Sequence, residues 1–493
     1  MSKSIVLGAL LFSSAALAQS LTEAQVVETV TRENPTVRAS VADLQRTAET
    51  LRAEGARYRP RLLLDATATS QNAPNLNVAG GTTSQLNQAL VFGAELAQTF
   101  SWGTQLSLRL ENRDTRLQGP LYGGSTDQFI LGPGYGFTAR LSVTQPLLRG
   151  FGDDIGLAQL RTAMLDQKDQ ARARDETASS ALSTALQAYW ELWYAERSLA
   201  IERDARELAR QQRDEAQRKV SFGTTAEVDL LSFETRVAEL DQSVLDAEVL
   251  VRTRTVELHR AQGRTSTEAI DLSSVAAPEL PTVDDTEALN AAEEASFSVT
   301  QARIAQERAE TNFRSAADAT RPRLDATAWL QTQGLGNGDA VAGLQQLGSF
   351  GNVSGNVGLV FELPLSGEQH EAQVGSARVA INAAKERVAA ATVQVRADTT
   401  TELTTLAQAR SRLALATRTV AVSERSADAR EKRQKNGAAT ALEVREAQES
   451  LRRARLAIER SRVDALKADV RLSHLTGRLL PKWGLASASS PTS

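Results

Sequence analysis

Apolar residues recur at steps of four and three along Phe233, Val237, Leu240, Val244, Ala247 and Val251, and again at Leu258 and Ala261. That spacing is the seam of a long helix packed in coiled-coil register. The seam is written a second time, 214 positions on, by Ala447, Leu451, Ala454, Ile458, Ser461, Ala465, Leu472 and Leu475. Each copy starts from a glycine-led tip, Gly223-Thr224-Thr225-Ala226 and Gly437-Ala438-Ala439-Thr440, and stops on a glycine, Gly263 and Gly477. A seam with a shared start and stop is an internal duplication, and a repeat of this size decides architecture. Arg254 interrupts the first seam where Ala468 stands in the second.

The rest of each half follows the same plan. The first repeat (19–263) opens with a predicted helix from Leu21 to about Arg57, with Thr22 as N-cap and Glu23 in the first turn. The second (285–477) opens at Asp285-Thr286-Glu287-Ala288. Both opening helices end at Arg-Pro-Arg-Leu, Arg59 to Leu62 and Arg321 to Leu324, where proline stops them. The period then changes to two. Leu62, Leu64, Ala66 and Ala68 alternate with Leu63, Asp65, Thr67 and Thr69, and Leu106, Leu108 and Leu110 with Gln105, Ser107, Arg109 and Glu111. Phe137, Ala139, Leu141 and Val143 repeat the pattern, as do Leu324, Ala326, Ala328 and Leu330, then Val357, Leu359, Phe361 and Leu363. Such two-faced runs of about ten residues fit membrane-barrel strands, and equally a half-buried soluble sheet. The polar stretches Gln71–Gln88, Gly119–Gly136 and Gly334–Gly351 read as the connecting loops, and no other segment offers an apolar partner layer. Strand blocks are therefore predicted over 62–145 and 323–363, and helical hairpins over 155–262 and 369–476. Each hairpin's first helix has roughly 65 residues, or ~100 Å. A linker (264–284) joins the halves, and a disordered tail covers 478–493.

Between Pro60 and Pro146 lie 85 residues, against 41 between Pro322 and Pro364. The first half thus has room for an extra strand pair, Val91–Phe100 and Thr104–Asn112, joined at Trp102-Gly103. Whether that pair enters the same barrel is open. Four to six strands per chain cannot close a membrane barrel, which takes about eight or more, and open edges cannot face lipid. Chains must then pool strands under cyclic symmetry.

Lys3, the apolar run Ile5–Leu11 and Ala16-Leu17-Ala18 read as a secretory signal peptide over 1–18. No later apolar run approaches the ~20 residues of a spanning helix. The absence of cysteine excludes disulfides and thiol chemistry. With 4% aromatics and 24% charged residues of interspersed sign, and a net charge of −4, the composition suits long helices and carries no nucleic-acid footprint.

Catalytic constellations are absent: there is no HExxH, no cysteine cluster and no GxSxG. His259, His370 and His474 stand alone in helical sequence, so neither a metal nor another cofactor is expected. Gly150-Phe151-Gly152-Asp153-Asp154-Ile155-Gly156 looks like a dinucleotide loop, but its third glycine is a residue late and no βαβ unit surrounds it.

The opening Leu21-Thr22-Glu23-Ala24 with Asn34-Pro35, the strand end Thr144-Gln145-Pro146-Leu147-Leu148, the two glycine-led tips, and the spacings Leu258 to Gly263 and Leu472 to Gly477 resemble the TolC-like outer membrane efflux family. The resemblance covers Ser20 to about Gly477. It implies an α+β membrane protein: a homotrimer whose helices form a coiled-coil tunnel through the periplasm and whose strands share one transmembrane β-barrel in outer membrane lipid. It also implies a passive, non-enzymatic exit duct of a tripartite efflux pump or type I secretion system, docked on a periplasmic adaptor and an inner-membrane transporter. The adaptor contact falls on the tips Phe222, Gly223 and Thr224 and Asn436, Gly437 and Ala438. In the family, carboxylates about six and nine residues after the second tip glycine ring the periplasmic aperture; here they are Glu443 and Glu446. Asp229 is the equivalent of Glu443 in the first half, where Ser232 takes the other place. The two acids share a helix face at i, i+3, where they form the aperture or else pair with Arg445 or Arg453 as ordinary surface charges. The alternative function is a structural, adhesin-like periplasmic coiled coil without a pore, which has no need of strand blocks.

Overall fold

Thr22 and Gln25 close a reciprocal capping box, which starts the first helix where the sequence places it. The computed structural model describes residues 21–485 apart from 77–81, 121–127, 223–226, 280–282, 364–366 and 437. The predicted signal peptide, Gly223, Thr224, Gly437 and the last residues of the chain therefore lie outside the described residues. The first half runs α1 (Glu23–Glu33), α2 (Pro35–Ala56), β1 (Arg61–Leu76), β2 (Thr82–Thr99), β3 (Gln105–Pro120), β4 (Gln128–Pro146), α3 (Asp153–Gly156), α4 (Ala158–Ser221) and α5 (Glu227–Gln262). The second runs α6 (Asp285–Ala295), α7 (Phe297–Ala319), β5 (Arg323–Asn337), α8 (Ala340–Gly348), β6 (Val353–Glu362), α9 (Glu368–Lys435), α10 (Ala441–Leu475) and α11 (Leu479–Lys482).

The single opening helix expected over Leu21–Arg57 is two helices. Pro35 pushes Asn34 out of helical geometry, and Asn34 Oδ1 accepts from Thr36 N at 2.9 Å to start α2. The second half breaks at the matching place, where Ser296 Oγ accepts from Val299 N at 3.3 Å. Each break receives the glycine that ends a hairpin. Gly263 and Gly477 both have positive φ, and a Cβ on them would meet Pro35 and Ala295.

The chain forms two compact units, each taking segments from both repeats. One holds the described parts of 1–44, 169–302 and 388–493 and is helical. Its largest cluster gathers Val26, Val30, Tyr189, Trp190, Trp193, Leu258, Leu272 and Val463, all at most 2% exposed. The seam residues Val237, Leu240, Val244, Ala247, Leu258, Ala447, Ala454, Ala465 and Leu472 are buried. Arg254 breaks the first seam because it joins an ion cluster: Glu191 holds Lys467 at 2.5 Å, Arg460 at 3.1 Å and Arg254 at 3.8 Å. One expectation fails here. The tail does not lose order at 478, since Leu479 and Leu480 of α11 are buried with Val27, Val37, Leu182 and Val470. The linker between the halves is strapped to α4. Val275 O accepts from Trp193 Nε1 at 2.9 Å and Arg197 Nη2 at 3.1 Å, and Leu272 N donates to Glu196 at 2.7 Å.

The other unit, 45–168 with 303–387, carries one antiparallel sheet in the order β1-β2-β3-β4-β5-β6. The extra pair β2–β3 lies within it. The predicted loops are shorter than the polar stretches suggested. Ser70↔Gln88 and Gln71↔Asn87 are strand pairs, as are Thr115↔Gly134 and Arg113↔Gly136. Backbone pairing carries these polar residues, and β5 likewise continues to Asn337 before α8 begins. The register sorts side chains by face. Leu62, Leu96, Leu108, Leu141, Leu330 and Gly355 stand in one row across all six strands, and Leu63, Glu95, Arg109, Arg140, Gln331 and Ser354 in the next row, on the opposite face. The apolar face is exposed: Leu62 is 66%, Leu64 69%, Leu359 70% and Val357 86% exposed.

The Gly150–Gly156 stretch has a packing role. Gly152 N donates to Trp102 O, and a Cβ on Gly156 would lie 1.9 Å from Ser101 O. Its glycines let the β2–β3 turn sit against the start of α3.

Candidate functional site: the hairpin tips and the polar face of the sheet

Ser221 Oγ donates to Arg218 O at 2.7 Å, and beyond it Phe222 is 80% exposed. This apolar ring at a helix end is held in water among the described residues. At the other tip α9 stops at Lys435. Arg433 ties the turn: its carbonyl accepts from Asn436 N at 3.2 Å and Ala438 N at 2.8 Å, and its guanidinium donates to Ala438 O at 3.0 Å. Asn436 and Ala438 remain exposed.

α10 then begins with a capping box. Glu443 accepts from Thr440 N at 2.8 Å and donates its own N–H to Thr440 Oγ1 at 3.3 Å. The Thr440 backbone bond, its hydroxyl, and more distantly Arg430 and Arg433 hold the Glu443 carboxyl below its ordinary value. Glu443 is thus turned back onto its own helix end. Glu446, one turn later, is exposed. Among the described residues neither of the expected ion pairs is found, and Arg453 pairs with Glu449 at 3.7 Å. The side chain of Asp229 lies outside the described residues.

Deeper along the hairpins, Glu449 binds Arg452 at 2.6 Å and also Arg236, while Arg452 reaches Glu202. Burial works against charge on Glu449, yet the two guanidiniums hold its pKa below the ordinary value. These are pairs that hold α4, α5 and α10 together, and they are not free to act on a passing solute.

The polar face of the sheet carries a second charged layer, which the sequence reading did not single out. Arg109 meets Asp65 through two bonds of 3.0 and 3.1 Å, Glu111 at 3.3 Å and Glu95 at 3.5 Å. Arg140 stacks 4.2 Å over Trp329. The available signal was phase: all six residues fall on the polar beat of the period-two runs.

Residues 288–478 match the outer membrane efflux protein family. None of the curated proteins matches the chain. Solved structures share the fold over nearly the whole length. The outer membrane protein VceC from Vibrio cholerae is 17% identical, with 93% of this chain and 97% of that one covered and a TM-score of 0.65. The CmeC outer membrane channel of Campylobacter jejuni is 14% identical, with 100% and 95% covered and a TM-score of 0.62. The open state of the MtrE outer membrane channel of Neisseria gonorrhoeae is 15% identical, with 93% and 89% covered and a TM-score of 0.63. The fold, long helices with one antiparallel sheet, is shared with these solved structures.

Proposed function

We propose that three copies of this chain pool their strands into one outer membrane barrel and act as the passive exit duct of a tripartite efflux pump or type I secretion system. The observation that carries this is the sheet. It is apolar on one face and polar on the other across six strands, and within the described residues β1 and β6 each pair on one side only. A lipid-exposed sheet cannot leave those edges open. Joining β6 of one copy to β1 of the next removes them and gives eighteen strands for three copies, within the range of single-pore barrels. Exposed apolar side chains on the long helices, Leu245 and Val249 on α5 and Val393 and Leu415 on α9, favour packing against further copies.

The tips, Phe222 to Thr224 and Asn436 to Ala438, are proposed as the adaptor contact. Glu446, with Glu443 and Asp229, is proposed as the cation-attracting aperture. The inner-membrane transporter supplies the energy. The test combines native mass measurement in detergent with planar-bilayer recording. A trimer that conducts is expected; a conducting monomer overturns the pooled barrel. Cysteines at Phe222 and Asn436 are expected to crosslink to the adaptor, and an adaptor captured only through the sheet side would reverse the orientation.

A further inference from the structure

Helix α8 lies within the stretch that reads as a polar loop, and it lies on the wrong face for a loop bound for water. A Cβ built on Gly334 would stand 2.0 Å from Gly343 O, and one on Gly336 1.8 Å from Asp339 O. Gly343 in turn has Phe137 at 2.9 Å and Tyr135 O at 3.0 Å. Gly334 pairs with Phe137 and Gly336 with Tyr135. Their face is that of Phe92 and Ala66, so α8 is seated by glycines on the apolar, outward face of the sheet.

The helix is built to sit away from water. Its nine residues, AVAGLQQLG, include no charge. Its first turn is capped by Asp339, which accepts from Val341 N at 2.9 Å. Thr332, on the sheet beneath it, donates to Leu347 O at 3.4 Å. β6 stops pairing at Thr332↔Val353, so further along β5, which still pairs with β4 on its other side, the edge has no strand partner among the described residues. Gln346 takes one N–H of that edge, accepting from Leu335 N at 2.8 Å. Backbone donors at membrane depth need such partners. The apolar side chains point outward: Val341 is 60% and Leu344 50% exposed.

Between α8 and the strands runs an open groove of about 570 Å³. Leu64, Phe92, Leu110 and Phe137 line it from the sheet, and Leu344 and Leu347 from the helix. It is continuous with the exposed apolar face that an outer membrane barrel presents to the bilayer. We propose that this groove holds an acyl chain of a bilayer phospholipid, with α8 as an interfacial helix embedded beside it. The proposal rests on the barrel reading above.

The absence of cysteine makes the test direct. The full-length trimer, in vesicles of dioleoyl phosphatidylglycerol and phosphatidylcholine, carries a nitroxide at Leu344→Cys, at Leu359→Cys on the open apolar face, or at Asn356→Cys on the polar face. Collision with oxygen, which partitions into hydrocarbon, is compared with collision with a water-soluble nickel chelate. The expected oxygen-to-nickel ratio at 344 is severalfold above that at 356 and close to that at 359. A low ratio at 344 with a high ratio at 359 overturns the lipid groove and leaves the barrel reading standing. Low ratios at both sink the two together. In a second arm, native mass spectrometry of detergent-extracted trimer is expected to show retained phospholipid that Leu347→Asn removes; equal retention by the variant rejects the groove as the lipid's seat.

Discussion

Arg109 reaches across a whole strand to grip Asp65, two bonds of 3.0 and 3.1 Å between β3 and β1. The strand between them supplies no obstacle because Gly93 sits opposite both Asp65 and Glu111. A Cβ there would stand 2.4 Å from Asp65 Oδ1 and 2.6 Å from Arg109 Nη2. Gly93→Val is expected to break the pair while leaving the strand's own hydrogen bonds intact. Asp65→Asn is expected to remove one negative charge from the polar face while Arg109 keeps Glu111 and Glu95. In bilayer recordings Asp65→Asn should lower the cation-to-anion permeability ratio. An unchanged ratio would mean this layer does not face the conducting path.

Gly263 closes the first hairpin against the break after α1. Its φ is +83°, and a Cβ would lie 2.4 Å from Pro35 Cδ. Gly263→Ala therefore combines backbone strain with overpacking and should cost about 1–3 kcal/mol. Gly477→Ala, with φ +67° and Ala295 O at 2.8 Å, should behave alike. Gly375 in α9 meets nothing within 4 Å, and there alanine should stabilise by about 0.5–1 kcal/mol. Thermal melts of the three variants check this, and a uniform response would reject the duplicated glycine seat.

These glycines also show what the sequence could tell. Gly263 and Gly477 mark helix ends in the chain as written, because a seam stops at each. The helical seams and the strand alternation were legible for the same reason: one face of each element is apolar and the other polar, so polarity tracks geometry. Other features left no such trace. Nothing in the period of Ala340–Gly348 separates a nine-residue helix from a glycine-rich loop, and its seat depends on Gly334 and Gly336, which are distant partners. α11 was missed because four residues carry too little pattern to register. At the tip, the spacing of Glu443 and Glu446 was visible, but the capping box that occupies Glu443 shows only when Thr440 is read as its N-cap.

The strap at Leu272 should respond to pH through Glu196. Burial raises this carboxyl from 4.5 to about 7, opposed by the Leu272 N–H it accepts. The folded protein holds this proton more tightly than the unfolded chain does. Its contribution to stability is therefore present in full below about pH 4.5 and is lost as pH rises through about 7. Glu196→Gln retains an acceptor for Leu272 and does not ionise. The variant should match the parent near pH 5 and melt higher near pH 8. A parent and variant with parallel melting curves across that window would remove Glu196 as the cause.

Glu446 and Glu443 should separate in function. Like charges brought together by three-fold symmetry around an opening attract cations. Glu443 is already engaged: its carboxylate accepts from the Thr440 N–H and lies turned back on the helix end. Glu446 is exposed one turn further along α10. Glu446→Gln is thus expected to lower cation selectivity and weaken block by multivalent cations, with folding unaffected. Glu443→Gln weakens the cap, at a cost of about 1 kcal/mol or less, and should loosen the tip more than it alters selectivity. Bilayer recordings of the two single variants, paired with thermal melts, decide between them. If neither variant shifts the permeability ratio, these acids are ordinary surface charges and the aperture lies elsewhere. If only Glu443→Gln shifts the permeability ratio, then the carboxylate must leave its cap in the trimer to face the opening.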